Sequence, residues 1–270
     1  MSNQWISTVN KVMATTDGRD KVVRMFQFGM RFLTWYLPIC GQDATLALHI
    51  EAYILDARRL FRLLKEFDSF EKITTILRSP AEGRQTLRVL SCIQQIGLCG
   101  LYLSNHALLA AKLRLLRCDH SVFRTIFGYC FSVSLLAGLL QDLARLYLVA
   151  KLRQATLRRP HEAAHGAKPP AAAALGSAKD PHPQVRARAD DLARLAGFQR
   201  EILANLLRNL LDQAIALNVI HGAALHKGAV GAAGVATSLL QLWQLARGHA
   251  PGARPLGERM AVELFRPASE

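Results

Sequence analysis

The sequence predicts an all-α protein lying on and in a membrane. Three observations carry that expectation. Half of the 270 residues (51%) are hydrophobic and only 20% are charged. That much apolar surface is buried somewhere, which excludes disorder throughout. The apolar residues are mostly Leu, Ala, Ile and Val, and Val/Ile/Thr alternation is scarce, a helical pattern more than a sheet one. The net charge is +14, and a chain both basic and apolar suits anionic head groups beside hydrocarbon.

Residues 18–37 read as a first amphipathic helix, capped by Thr16 or Asp17 and closed by Pro38. Asp20, Arg24, Gln27, Arg31 and Thr34 form a narrow polar stripe, and apolar side chains cover the remainder. Such a helix is either nearly buried or lying in a bilayer interface. Residues 44–67 read as a second helix. Near its end Leu60, Leu63, Leu64 and Phe67 share one side, with Arg58, Arg59, Arg62, Lys65 and Glu66 opposite. The pattern fits a surface helix of a bundle. It also fits a helix whose leucines enter a leaflet while Arg58, Arg59, Arg62 and Lys65, with Arg24 and Arg31, hold lipid phosphates. Ser79-Pro80 and Gly83 mark a turn.

Val89–Ala111 is uncharged and long enough to cross a bilayer. Gln94, Gln95, Asn105 and His106 interrupt it. Gln95 and His106 fall on one face, where they suit a bundle interior or the lining of a pore. Gly97 and Gly100 permit close helix contact. Thr125–Gln141 is uncharged but short for a span, so a re-entrant, interfacial or core helix is expected. Residues 112–160 hold nine Lys/Arg and two acids, half of the net charge.

Residues 154–190, with five of the ten prolines and an alanine run, read as a flexible linker. Residues 190–220 form a third amphipathic helix. Its Glu201, Asn205, Arg208 and Asp212 repeat the spacing of Asp20, Arg24, Gln27 and Arg31. Gly228–Ala246 is the second expected span. Gly228, Gly231, Ala232, Gly234 and Ala236 give it a small-residue face for helix–helix packing, and Trp243 suits the interface. The chain thus divides into a surface helical region (1–88), apolar hairpin-like helices (89–153), the linker (154–190), a C-terminal helix and span (191–247) and a tail (248–270).

The chemistry of catalysis is thin. His161-Glu162-Ala163-Ala164-His165 matches the zinc-binding H-E-x-x-H string. It lies in the linker, and Lys168 and Ala171 stand where the extended motif needs Gly and His. A zinc peptidase is therefore the weakest reading, and no metal, cofactor or enzymatic activity is expected. Phosphate-binding loops and nucleophile elbows are missing. The basic residues border apolar runs with little aromatic interleaving, so nucleic acid is not expected as a partner. The five cysteines are odd in number and loosely spaced, which speaks against a disulfide framework. Residues 1–21 have no continuous apolar run, so targeting is expected to be internal.

Four blocks in order carry a family resemblance. Gly18-Arg19-Asp20-Lys21 opens a helix that runs into Phe32-Leu33-Thr34-Trp35-Tyr36-Leu37. Asp56-Ala57-Arg58-Arg59-Leu60-Phe61-Arg62-Leu63-Leu64-Lys65 follows, then Gly100-Leu101-Tyr102-Leu103-Ser104-Asn105-His106. Leu211-Asp212-Gln213-Ala214-Ile215-Ala216-Leu217-Asn218 precedes the glycine-rich helix. Over about 10–247 the chain resembles the peroxin-eleven family of peroxisomal membrane proteins, which includes glycosomal members. The family often has an acid followed by Asn or Thr where Ser104-Asn105 stands here. The resemblance implies an integral membrane protein, two spans with both termini cytosolic, and a role in proliferating, elongating and dividing the organelle. It implies an anionic phospholipid membrane, further copies of the chain and a dynamin-type fission machinery as partners. A channel for small metabolites, lined by Gln95, Asn105 and His106, is the alternative it allows.

Overall fold

The computed structural model describes residues 2–78, 85–117, 119–166, 183–222 and 225–248, with side chains over 6–158 and 188–247 inside those limits. Among the described residues there are eight α-helices and no strand. They are α1 (Ser2–Ala14), α2 (Thr16–Ile39), α3 (Thr45–Phe61), α4 (Lys65–Arg78), α5 (Gln85–Lys112), α6 (His120–Gly166), α7 (Pro183–His221) and α8 (Lys227–Gly248). The expected turn at Ser79-Pro80 and the tail from 249 lie outside the described residues, as does Cys118. The described residues fall into two compact units, one within Met1–Gln141 and Leu206–Pro255, the other within Asp142–Asn205.

In the first unit α2 is the axis. Thr15 caps it, its hydroxyl accepting from the Gly18 amide at 3.0 Å. It ends just past Pro38, where Gly41 takes a φ of 72°. Helix α8 lies antiparallel on α2. Gly228 sits on the Trp35 ring, Gly231 on the Phe32 backbone and Gly234 on the Phe28 ring, so closely that a Cβ at any of the three would overlap its neighbour. The small-residue face is therefore used, in a register of three and within the chain. Ala232 is exposed and Ala236 only half-buried. Within the chain, α2 fills the three glycine positions of this face.

The interior around α2 is unusual for a soluble bundle. Phe28, Ile215 and Val230 make a small apolar core. Beside it lie Asp20, Arg24, Gln27, Arg58, Asp212, Thr237 and Ser238, all buried. Apolar side chains such as Phe26, Tyr36, Leu103, Leu136 and Leu239 face outward. Water penalises exposed apolar area, whereas lipid does not. The narrow polar stripe of the first amphipathic helix is thus its inward face.

Helix α6 before residue 141 lies antiparallel to α7 after 206. Gly128 packs on Ile220, the Gln213 amide donates to the Ser132 hydroxyl at 2.6 Å, and Gly138 sits against Asn209. Gly97 and Gly100 of α5 meet Ser134 and Cys130 of α6. Within the second unit α6 and α7 are again antiparallel. Arg153 reaches Gln199 and Arg188 donates to the Leu157 carbonyl, around the buried Val149, Phe198 and Ile202.

The helices differ in extent from those expected. The predicted helix 44–67 is two helices, broken at 62–64. Of the expected linker 154–190, residues 154–166 and 183–190 are helical, and 167–182 lie outside the described residues. Leu and Arg around its start favour helix, and Pro183 stands first in α7, where a missing N–H is harmless. The short run Thr125–Gln141 lies within a much longer helix. Among the described residues three helices are long and apolar enough to cross a membrane, where two spans were expected: Gln85–Lys112, His120–Arg158 and Lys227–Arg247.

Candidate membrane-contact site

The break between α3 and α4 gathers the predicted membrane-contact residues. Arg62, Leu63 and Leu64 make two tight turns, Leu63 N bonding to Leu60 O at 3.0 Å and Lys65 N to Arg62 O at 3.2 Å. Leu64 takes a φ of 66°, a left-handed conformation that costs a non-glycine residue about 1–2 kcal/mol. The result is an elbow. Leu60, Leu63, Leu64 and Phe67 project outward from it, Leu64 59% and Phe67 63% exposed. Phe70 continues the patch along α4.

The basic residues of the elbow do the opposite. Arg58 is only 5% exposed, its Nε donating to Asp20 at 3.1 Å and its Nη1 to Gln27. Arg62 lies 3.5 Å from the same carboxylate. Arg59 pairs with Asp56 at 2.9 Å and Lys65 with Asp17. Arg31 is held by Glu51 at 2.6 Å. Arg24 forks onto Asp212 and also reaches Thr237 at 3.2 Å, joining α2 to α7 and α8. Arg24 and Arg58, predicted as head-group ligands, are therefore interior counter-ions. The reason is the acid on each facing helix: a guanidinium leaves water only where carboxylates replace it.

Burial would raise the Asp20 carboxyl, but the Arg62 and Arg58 charges, Lys21 and the Arg58 hydrogen bond together outweigh it and hold Asp20 well below the usual carboxylate range. Burial, then the charge of Arg62, disfavours the cationic form of Arg58, and Asp20 opposes both. The cluster is thus mutually dependent.

Helix α5 clamps the elbow. His106 Nε2 lies 3.2 Å from the Arg62 carbonyl and Nδ1 lies 3.5 Å from Glu66. At the far end of α4, Arg88 donates to the Leu77 carbonyl. Helix α4 therefore runs antiparallel along α5, with Asp68, Glu71 and Lys72 exposed on its outer side. The other predicted pore residues do not join His106. Asn105 is buried against its own helix, bonding to Leu101 O at 3.2 Å, and the Gln95 side-chain carbonyl is buried without a partner. Gln94 is bonded to Gln141, which accepts from Ser91, a polar link between α5 and α6 that sequence reasoning did not pair. The side chains of His161, Glu162 and His165 lie outside the described ones. Among the described residues no group of His, Cys, Asp and Glu is arranged to hold a metal.

Spanning-length helices, an apolar exterior and a polar interior together define a helical membrane protein. The family model for Peroxisomal biogenesis factor 11 (PEX11) matches residues 6–246. The chain is 26% identical over 244 residues to Peroxisomal biogenesis factor 11 of Schizosaccharomyces pombe, covering 87% of this chain and 92% of that protein. It is 20% identical over 247 residues to the Peroxisomal membrane protein 11 homolog of Dictyostelium discoideum, covering 90% and 95% respectively. No solved structure matches it. The chain belongs to the peroxisomal biogenesis factor 11 family.

Proposed function

We propose that this chain is an integral protein of the peroxisomal membrane that elongates and divides the organelle by pressing the α3–α4 elbow into one leaflet. The observation that carries the reading is the elbow itself: Leu60, Leu63, Leu64 and Phe67 exposed together beside a strained Leu64. An apolar cluster in that position is stable only when something apolar covers it. Inserted to a depth of about 5–10 Å, it adds area to one leaflet and favours curvature.

The pairing of α4 with α5 supplies a further step. If α5 crosses the bilayer, a helix carrying exposed Asp68, Glu71 and Lys72 stays out of the hydrocarbon. Helix α4 then swings off α5, and Leu64 is the pivot, because relaxing its φ lets α3 and α4 run on as one helix along the surface. Association with further copies, recruitment of a dynamin-type fission machinery and cytosolic termini belong to the same proposal and rest on the family resemblance.

The test replaces Leu63→Ser, Leu64→Ser and Phe67→Ser together in the full-length protein. Each apolar side chain contributes about 1.5–3 kcal/mol when removed from water, so tubulation of vesicles should be lost while helix content is kept, these residues being exposed. Tubulation equal to wild type would show that the elbow is not the inserted element.

A further inference from the structure

We infer that the turn joining α5 to α6, residues 112–117, is a second membrane-contact site, and that it rather than the elbow grips anionic phospholipid head groups. Lys112-Leu113-Arg114-Leu115-Leu116-Arg117 alternates cations with leucines, and every one of the six is exposed. Leu115, at 74%, is among the most exposed large apolar side chains described. The guanidiniums of Arg114 and Arg117 have no acidic or hydrogen-bonding partner among the described residues. The nearby acid, Asp119, is occupied: it accepts from the amide of Ser121 at 2.8 Å and from its hydroxyl at 2.6 Å, capping α6. Lys112 is shared with Asp56.

The backbone makes the same point independently. Helix α5 ends with the Leu115 amide bonded to Ala110 O at 2.9 Å and the Arg114 amide to Ala111 O at 3.1 Å. This is the paired capping arrangement in which the left-handed residue is usually glycine. Here it is Arg114, with a φ of 60°. The motif usually also folds the next apolar residue back on the helix. Leu115 instead points outward. The turn thus keeps a strained arginine and an unpacked leucine where glycine and a buried contact would be more stable, which is the signature of a functional position.

The occupant is a bilayer surface bearing phosphate anions. Two unpaired guanidiniums supply the electrostatic complement, and the three exposed leucines beside them, Leu113, Leu115 and Leu116, fit acyl chains. A soluble acidic peptide would leave those leucines in water. The site is separate from the elbow, and its claim stands whether or not the elbow inserts.

The experiment uses full-length protein and vesicles of phosphatidylcholine, with and without phosphatidylserine, scored by flotation. Arg114→Gln with Arg117→Gln should weaken the preference for phosphatidylserine vesicles about fivefold per arginine, and added salt should shrink that difference. Binding to phosphatidylcholine alone should hold. Arg114→Gly gives the sharper reading, because it removes the charge and relieves the strain. Its melting temperature should equal or exceed wild type while the phosphatidylserine preference falls, a combination that a purely structural arginine would not give. Undiminished preference in both variants overturns the inference. So does a loss seen on soluble polyglutamate but not on vesicles, which would assign the turn to an acidic protein.

Discussion

The elbow at 62–64 and the turn at 112–117 are built alike and behave oppositely. Each interrupts helices in a basic, leucine-rich stretch, and each holds a non-glycine residue, Leu64 or Arg114, at positive φ. At the elbow Arg58, Arg59, Arg62 and Lys65 are all turned to acids, leaving leucines, Phe61 and Phe67 outside. At the turn the leucines and the arginines are outside together. Composition does not separate the two segments. What separates them is whether a carboxylate lies within reach of each arginine. Charge density along a sequence therefore says little about which cations a membrane meets.

The strongest way to break this contrast is to remove the acid that turns the elbow inward. Asp20→Asn leaves Arg58 and Arg62 without a counter-charge in a buried setting, and a cost of about 3–5 kcal/mol is expected, read from denaturant unfolding in detergent. Adding Arg58→Gln should recover part of it. The same carboxylate sets an acid limit. Its folded pKa lies below the ordinary value, so its stabilisation is complete above about pH 4, the usual aspartate value, and is lost as pH falls below that. The Asn variant should show a flatter acid limb. An equally steep one would mean that other carboxylates dominate.

Much of the fold was legible because helical periodicity and uncharged runs report directly on burial and length. The candidate spans at 89–111 and 228–246 were read from uncharged length, and the polar stripe on α2 was read from spacing. So was the recurrence of that stripe on α7, where Asp212 stands in register with Arg31. What spacing does not carry is which stripe faces which. Arg24 pairs with Asp212 across most of the chain, and no local pattern links them. The break at 62–64 was missed for a related reason. The segment 44–67 has a continuous helical pattern, and the kink is imposed by distant groups, Asp20 on α2 and His106 on α5. The three-residue register of the glycines was hidden because Gly228, Ala232 and Ala236 also line up at helical spacing. The phenyl and indole rings of α2 chose between the two.

A smaller effect tests the clamp on the elbow. His106→Ala removes the contact to the Arg62 carbonyl and leaves Glu66 buried, with one carboxylate oxygen already lacking a hydrogen-bond partner. A loss of about 1–3 kcal/mol is expected from a buried acceptor without its partner. It should appear locally, as faster amide exchange across α4 and the elbow, with α2 and α8 unchanged. If α4 must leave α5 before insertion, the variant should also tubulate vesicles faster. Faster exchange with unchanged tubulation would separate the clamp from the function.

The smallest expected change runs in the other direction. Asp56 holds both Arg59 of the elbow side and Lys112 of the turn. Both pairs are partly exposed, so each contributes only about 0.2–1 kcal/mol, and Asp56→Asn should barely alter unfolding. It should nevertheless release Lys112 to join Arg114 and Arg117, raising the affinity for phosphatidylserine vesicles where Arg114→Gln lowers it. A gain of affinity from deleting an acid that contacts no lipid would show that facing carboxylates decide which cations are presented. If affinity stays at the wild-type value, Lys112 is not part of the lipid-facing set, and the turn reduces to its two arginines.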